Sequence, residues 1–137
     1  MMRADDEALL SVLFRSATLR WTYAQIAVSD GLTRSAVAGM VSRLRDAHAQ
    51  VVAARLPDHE ILRVVDRVLS GASADSVAKD FARRRVSLSR LAVLYLVWWV
   101  MNDLHHAGPD LSTDAGNADL HAWPQWWRAA ATTGVAA

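Results

Sequence analysis

Thr22-Tyr23-Ala24-Gln25-Ile26-Ala27-Val28-Ser29-Asp30-Gly31-Leu32-Thr33-Arg34-Ser35-Ala36-Val37 is the stretch on which the fold turns. Thr22 with Gln25 three residues later forms a capping box, in which a side-chain oxygen and a side-chain amide satisfy backbone groups at a helix start. Asp30-Gly31 closes that helix, because glycine enters the left-handed region at little cost. Thr33 then caps a second helix. A short helix, a tight turn and a longer helix make a helix-turn-helix, provided the crossing is small and the second helix has an apolar inner face. Ala27 supplies the crossing, and Leu32, Val37 and Met40 are expected to face inward. Asp30 fits less well, since an apolar residue is usual before the turn glycine.

Outward from this stretch, the pattern is helical throughout and no segment alternates long enough to argue for a strand. A first helix is expected over 4–17, where Leu9, Leu10, Val12, Leu13 and Phe14 form the apolar stripe and Asp5, Asp6 and Glu7 suit the positive end of the helix dipole. The helix capped by Thr33 keeps its apolar spacing through Val41, Leu44, Val51 and Val52, which predicts continuity to Arg55, before Pro57. A similar scheme then recurs. Ile61, Leu62, Val64, Val65 and Val68 stripe a fourth helix, Ser73 or Asp75 caps a short fifth through Phe81, and Ser87 caps a sixth that runs to His105. The expected architecture is all-α: two consecutive helix-turn-helix-like units, 1–56 and 57–107, followed by a loop and tryptophan-rich tail, 108–137, with a short helix at 120–128.

The chain has 137 residues, with 15 Lys+Arg against 14 Asp+Glu and no cysteine. That length suits one compact domain or two very small ones. Without cysteine there are no disulfides, no Cys-ligated zinc and no thiol nucleophile. The acidic start, Asp5-Asp6-Glu7, lacks the basic and apolar regions of an export signal, so a cytoplasmic location is expected. The longest apolar run, 91–101, is shorter than the roughly 20 residues that a membrane helix needs, and no membrane association is expected. A net charge of +1 argues against nucleic acid until it is resolved along the chain. Arg34, Arg43, Arg45 and Arg55 face only Asp46 across 31–55, and Lys79, Arg83, Arg84, Arg85 and Arg90 face only Asp80 across 76–90. Two basic foci stand in an otherwise acidic chain.

The segment 33–44, Thr33-Arg34-Ser35-Ala36-Val37-Ala38-Gly39-Met40-Val41-Ser42-Arg43-Leu44, resembles the recognition helix of the GcrA family of bacterial cell-cycle regulators, Thr-Arg-Asn-Ala-Val-Ile-Gly-Lys-Val-His-Arg-Leu. Gln25-Ile26-Ala27 matches the family's preceding helix, and the similarity covers residues 5–45. The resemblance implies a DNA face at Arg34 and Gly39, preference for methylated sites, and contact with a sigma factor. Ser35, Met40 and Ser42 depart from the family's Asn, Lys and His, and nothing after residue 56 resembles its remaining region.

The residues point the same way on chemical grounds. Thr33, Arg34, Ser35, Ala38, Gly39 and Ser42 are expected to meet base edges, their mostly small side chains allowing close approach; Arg34 suits guanine and Ala38 a thymine methyl. Arg20, Thr22, Tyr23, Arg43 and Arg45 are expected on phosphates, with Arg83, Arg84 and Arg85 as a second group. The helix through 91–101 is apolar all round and must be buried on most sides. Its cover is expected from a second copy, from the long helix after Thr33 or from the tryptophan-rich tail; Leu91, Leu94, Tyr95, Trp98 and Trp99 are expected at a homodimer interface, which would present two recognition helices to two half-sites. Trp123, Trp126 and Trp127 are expected to fold back on that helix or to anchor a protein partner such as a polymerase subunit. His105, His106, Asp110, Asp114, Asp119 and His121 have no recognised ligand spacing, so neither a metal nor another cofactor is expected, and no catalytic motif is present. The expected function is a non-enzymatic, sequence-specific DNA-binding transcriptional regulator of bacterial or phage origin. An interaction or inhibitor protein working through its tryptophan surfaces and a phage DNA-packaging subunit are the alternatives.

Overall fold

The computed structural model describes residues 2–107. Every regular element among them is helical: α1 (Ala4–Leu13), a π-helical turn (Phe14–Thr18), α2 (Tyr23–Asp30), α3 (Arg34–Asp46), α4 (His48–Ala54), α5 (Asp58–Leu69), α6 (Ala74–Arg83) and α7 (Arg90–Ala107). The expected tail helix, with Trp123, Trp126 and Trp127, lies outside the described residues, as does the loop before it.

The fold is organised around α7. Its apolar circumference is covered by α1, the π-helical turn, α3, α4, α5 and α6, so Ala92, Val93, Leu94, Val97 and Met101 are all fully enclosed. Burial of Val93, Leu94, Val97 and Met101 contributes about 1.5–3 kcal/mol of transfer free energy each. Leu94 and Tyr95, expected at a dimer interface, are thus already buried within one chain; Leu91, Trp98 and Trp99 remain half-buried. An all-apolar helix needs cover on most sides, and here elements from both expected units supply it. Pro57 marks a turn before α5, but one apolar core runs across it.

Three boundaries differ from the sequence expectation, each for a local reason. The helix after Thr33 bends at Ala47, whose amide bonds to Leu44 O at 3.2 Å in place of the α-type bond to Arg43. The small, buried Ala47 permits the close turn, which lays α4 against α7. The first helix widens after Leu13 into i→i+5 bonding, with Leu19 N donating to Phe14 O at 3.0 Å. Ser89, not Ser87, caps α7, accepting from Ala92 N at 3.2 Å. Leu32 and Leu62, expected inward, are 40% and 59% exposed.

Two polar nodes fasten the core. Asp6 is buried and accepts from Ala74 N at 2.8 Å and from Arg90 Nε and Nη2 at 3.1 and 2.9 Å. One carboxylate therefore joins α1 to the starts of α6 and α7. Thr18, rotated inward by the π-helical turn, donates to Asn102 Oδ1 at 2.8 Å and accepts from Trp98 Nε1 at 2.9 Å.

Candidate nucleic-acid interface

The candidate interface is built on α2, its turn and α3. The capping box at the start of α2 is closed in both directions: Gln25 N donates to Thr22 Oγ1 at 3.1 Å and Thr22 N to Gln25 Oε1 at 2.9 Å. Gly31 takes φ 68° and ψ 32°, and Leu32 N donates back to Ala27 O at 2.9 Å. Thr33 Oγ1 then accepts from Ala36 N at 3.1 Å, so this hydroxyl starts α3. Ile26 and Ala27 are buried with Val37, Val41 and Leu44 where α2 and α3 pack.

Asp30, the poor fit in the sequence, has a specific partner. Arg15 of the π-helical turn grips it in bidentate fashion, Nη1 to Oδ1 at 2.9 Å and Nη2 to Oδ2 at 2.6 Å. This bonding holds the Asp30 carboxyl below its ordinary pKa of 3.8, against the opposing effect of burial. Arg15 also lies 5.4 Å from the centre of the Trp21 ring. A side-chain clamp replaces the apolar contact usual before the turn glycine.

With Val37, Val41 and Leu44 inward, the helical period turns Ser35, Gly39 and Ser42 outward, flanked by Ala38, Arg34 and Arg45 on one side and by Arg43 on the other. Ser35 and Ser42 are exposed, and Ala38 and Gly39 partly so. A Cβ added at Gly39 would stand 3.6 Å from Arg43 Nη1, so the glycine leaves a shallow opening that the helix does not need for its own packing. Arg20, Arg34, Arg43 and Arg45 are exposed and belong to none of the ion pairs among the described residues. Thr22 is exposed but engaged in its cap, and Tyr23 is half-buried against the core.

The second arginine group is differently disposed. Arg83 bonds Asp80 at 2.9 Å, and Arg84 pairs with Glu60 of α5 and stacks on Phe81. Arg85 alone of the three has no ion-pair partner, and it takes φ 61° after α6. Two of the three expected phosphate ligands here are thus paired with carboxylates, Arg84 across to α5 and the exposed Arg83 within its own helix. The α6–α7 connection is also longer than the α2–α3 turn and ends in the Ser89 cap, and α7 presents no groove-reading face.

Of the residues expected at a dimer interface, Tyr95 and Trp99 contact His48 at the start of α4. His48 Nδ1 and Tyr95 Oη share a 2.9 Å hydrogen bond, and the His48 ring lies 5.1 Å from Trp99. Burial raises the Tyr95 hydroxyl above its usual pKa, with Arg45 acting in the opposite sense. His105 packs edge-on against Phe14 at 5.6 Å, its Nδ1 is buried without a partner, and burial, then His106, lowers its pKa. No group of three or more His, Asp or Glu able to hold a metal occurs among the described residues; Asp110, Asp114, Asp119 and His121 lie outside them. No helix among the described residues is long and apolar enough to cross a membrane.

Reasoning from sequence missed Asp6, Thr18 and the Arg15–Asp30 clamp, and also Val28, which is 86% exposed on α2 beside the turn. Neither a protein-family model, nor a curated protein, nor a solved structure matches the chain.

Proposed function

We propose that the chain is a DNA-binding regulator that places the amino-terminal half of α3 in the major groove. One observation carries this reading: Arg34, Arg43 and Arg45, in none of the ion pairs among the described residues, gather on α3 around an outward face of serine, alanine and glycine, whereas Arg15, Arg67, Arg83, Arg84 and Arg90 are paired with carboxylates. Small side chains allow a helix to approach base edges, and unpaired guanidinium groups supply bidentate donors for guanine or phosphate. Arg34, in the first turn, reads a base; Arg43, Arg45 and Arg20 hold phosphates. The phosphate footprint of one copy is small, so useful affinity requires base contacts and two copies on paired half-sites.

The test is selection of bound genomic fragments, with and without adenine methylation, followed by titration of the selected site. Arg34→Ala is expected to weaken that site by about 1–3 kcal/mol and to relax its sequence preference. Arg43→Ala is expected to weaken all sequences alike and reduce the salt slope by about one. Parental binding by both variants refutes the reading.

A further inference from the structure

A groove of about 520 Å³ opens between α4, α5 and α7. Leu96, Trp99 and Val100 of α7 form its apolar floor, and Val52 and Leu62, 52% and 59% exposed, stand at its sides. Its charged lining residues are Asp58, Asp103 and Arg55, two negative against one positive. An apolar groove with charged residues beside it suits the apolar face of a helix. We propose that the occupant is the chain's own segment 120–128, Leu120-His121-Ala122-Trp123-Pro124-Gln125-Trp126-Trp127-Arg128.

Reach, size and charge support this occupant. The floor residues lie within the last turns of α7, with Asp103 only about 6 Å along the axis from Ala107. The twelve residues 108–119 can span up to about 40 Å, so the segment is held near the groove at an effective concentration on the order of millimolar. As a helix it would be about 13 Å long, against about 10 Å for the α7 wall between Leu96 and Asp103. Trp123 and Trp126 would share a face toward the floor, leaving Arg128 to approach the carboxylates of Asp58 or Asp103.

A second copy fits less well. Two concave grooves set face to face enclose a void. The most exposed large apolar side chain of the described residues, Val28, lies on α2, and inserting it would make a head-to-tail contact, not a self-complementary dimer. The proposal is independent of DNA binding.

The chain has no cysteine, so Leu62→Cys in the full chain creates a single thiol at the groove. Its labelling by a maleimide is expected to be more than about tenfold slower than in the same variant carrying Trp123→Ala, Trp126→Ala and Trp127→Ala. That slowing should be constant between about 1 and 100 µM protein. Equal rates overturn the proposal, and slowing that vanishes on dilution overturns it in favour of a second copy. A second measurement avoids the tryptophan variants: mild oxidation of Leu62→Cys with Ala122→Cys. A disulfide within the monomer is expected; a linked dimer, or no disulfide, overturns the proposal.

Discussion

Replacing Asp6 with alanine tests whether one buried carboxylate holds three helix starts together. The side chain is 3% exposed and its Arg90 partner 36%. Alanine leaves two polar groups without their bonds. Ala74 N–H, at the start of α6, loses its acceptor, and Ser73 offers no substitute because its hydroxyl accepts from Ser76 N. An orphaned buried amide costs about 1–3 kcal/mol. The Arg90 guanidinium loses a bidentate contact to one oxygen. Removing one member of a buried pair typically costs about 3–5 kcal/mol, but the exposed part of Arg90 regains water, so the lower end applies. The expected loss is about 3 kcal/mol, or a fall in Tm on the order of 10 °C for a domain of this size. Urea unfolding followed by tryptophan fluorescence measures it. Asp6→Asn keeps an acceptor for Ala74 and should lose about half as much. With Arg90→Ala as the second arm, a double-mutant cycle should give a coupling above about 1 kcal/mol. If Asp6→Ala unfolds within about 0.5 kcal/mol of the parent, the carboxylate does not fasten these helices.

Gly39→Ala separates stability from binding: it should stabilise α3 by about 0.5–1 kcal/mol, because only the flexible end of Arg43 stands near the new methyl, yet weaken DNA binding by filling the outward face. Thermal melting and fluorescence anisotropy check the two signs, and unchanged affinity places the DNA elsewhere. Thr18→Val should cost about 1–3 kcal/mol in urea unfolding by stranding Trp98 Nε1–H and Asn102 Oδ1; Thr18→Ser should restore most of it. The pKa of His105 is depressed in the fold, so the unfolded chain takes up that proton first. Stability due to a neutral His105 is complete above the ordinary value of 6.5 and falls as the pH drops below it, through the lower folded value. The pH 7 to pH 5 difference in Tm should therefore shrink in His105→Phe; an unchanged difference assigns it to other groups.

How far the sequence is legible depends on the range of the interaction that fixes each feature. Caps and turns are local: Thr22 with Gln25, Gly31, Thr33 and Ser73 bond within a few residues, and each stands where the sequence places it. The bend at Ala47 has no local signal, since alanine favours an unbroken helix and the apolar spacing continues through Val51. The long-range packing of α4 on α7, with His48 beside Tyr95, goes with the bend. Asp6 reads as a dipole residue because Arg90 and Ala74 lie far along the chain. Asp30 looked misplaced for a similar reason: its partner, Arg15, is presented by a π-helical turn that periodicity does not announce. At the candidate interface the residue types were readable, but which arginines remain available was not. That depends on carboxylates brought near by folding.

This last point changes what the net charge of +1 means. In α5 and α6 most positive charge is paired: Arg67 and Arg83 share Asp80, Arg84 meets Glu60, and Lys79 meets Asp75, while Arg63 belongs to none of the ion pairs among the described residues. Such exposed pairs add little to stability, but each places a carboxylate beside the cation and reduces the field it projects. Around α3 the unpaired Arg34, Arg43 and Arg45 stand with Asp46 as the one carboxylate of residues 31–55, so a local excess of positive charge is left there within a nearly neutral chain. The inner face of α3, at Val37, Val41 and Leu44, is fixed in the core with α7 at its back. An incoming duplex would therefore meet a helix whose orientation is set before contact, and little backbone conformational entropy would be lost on docking. Whatever the second unit retains of a helix-turn-helix order, its physical contribution is the apolar helix that holds the first unit's outward face in place.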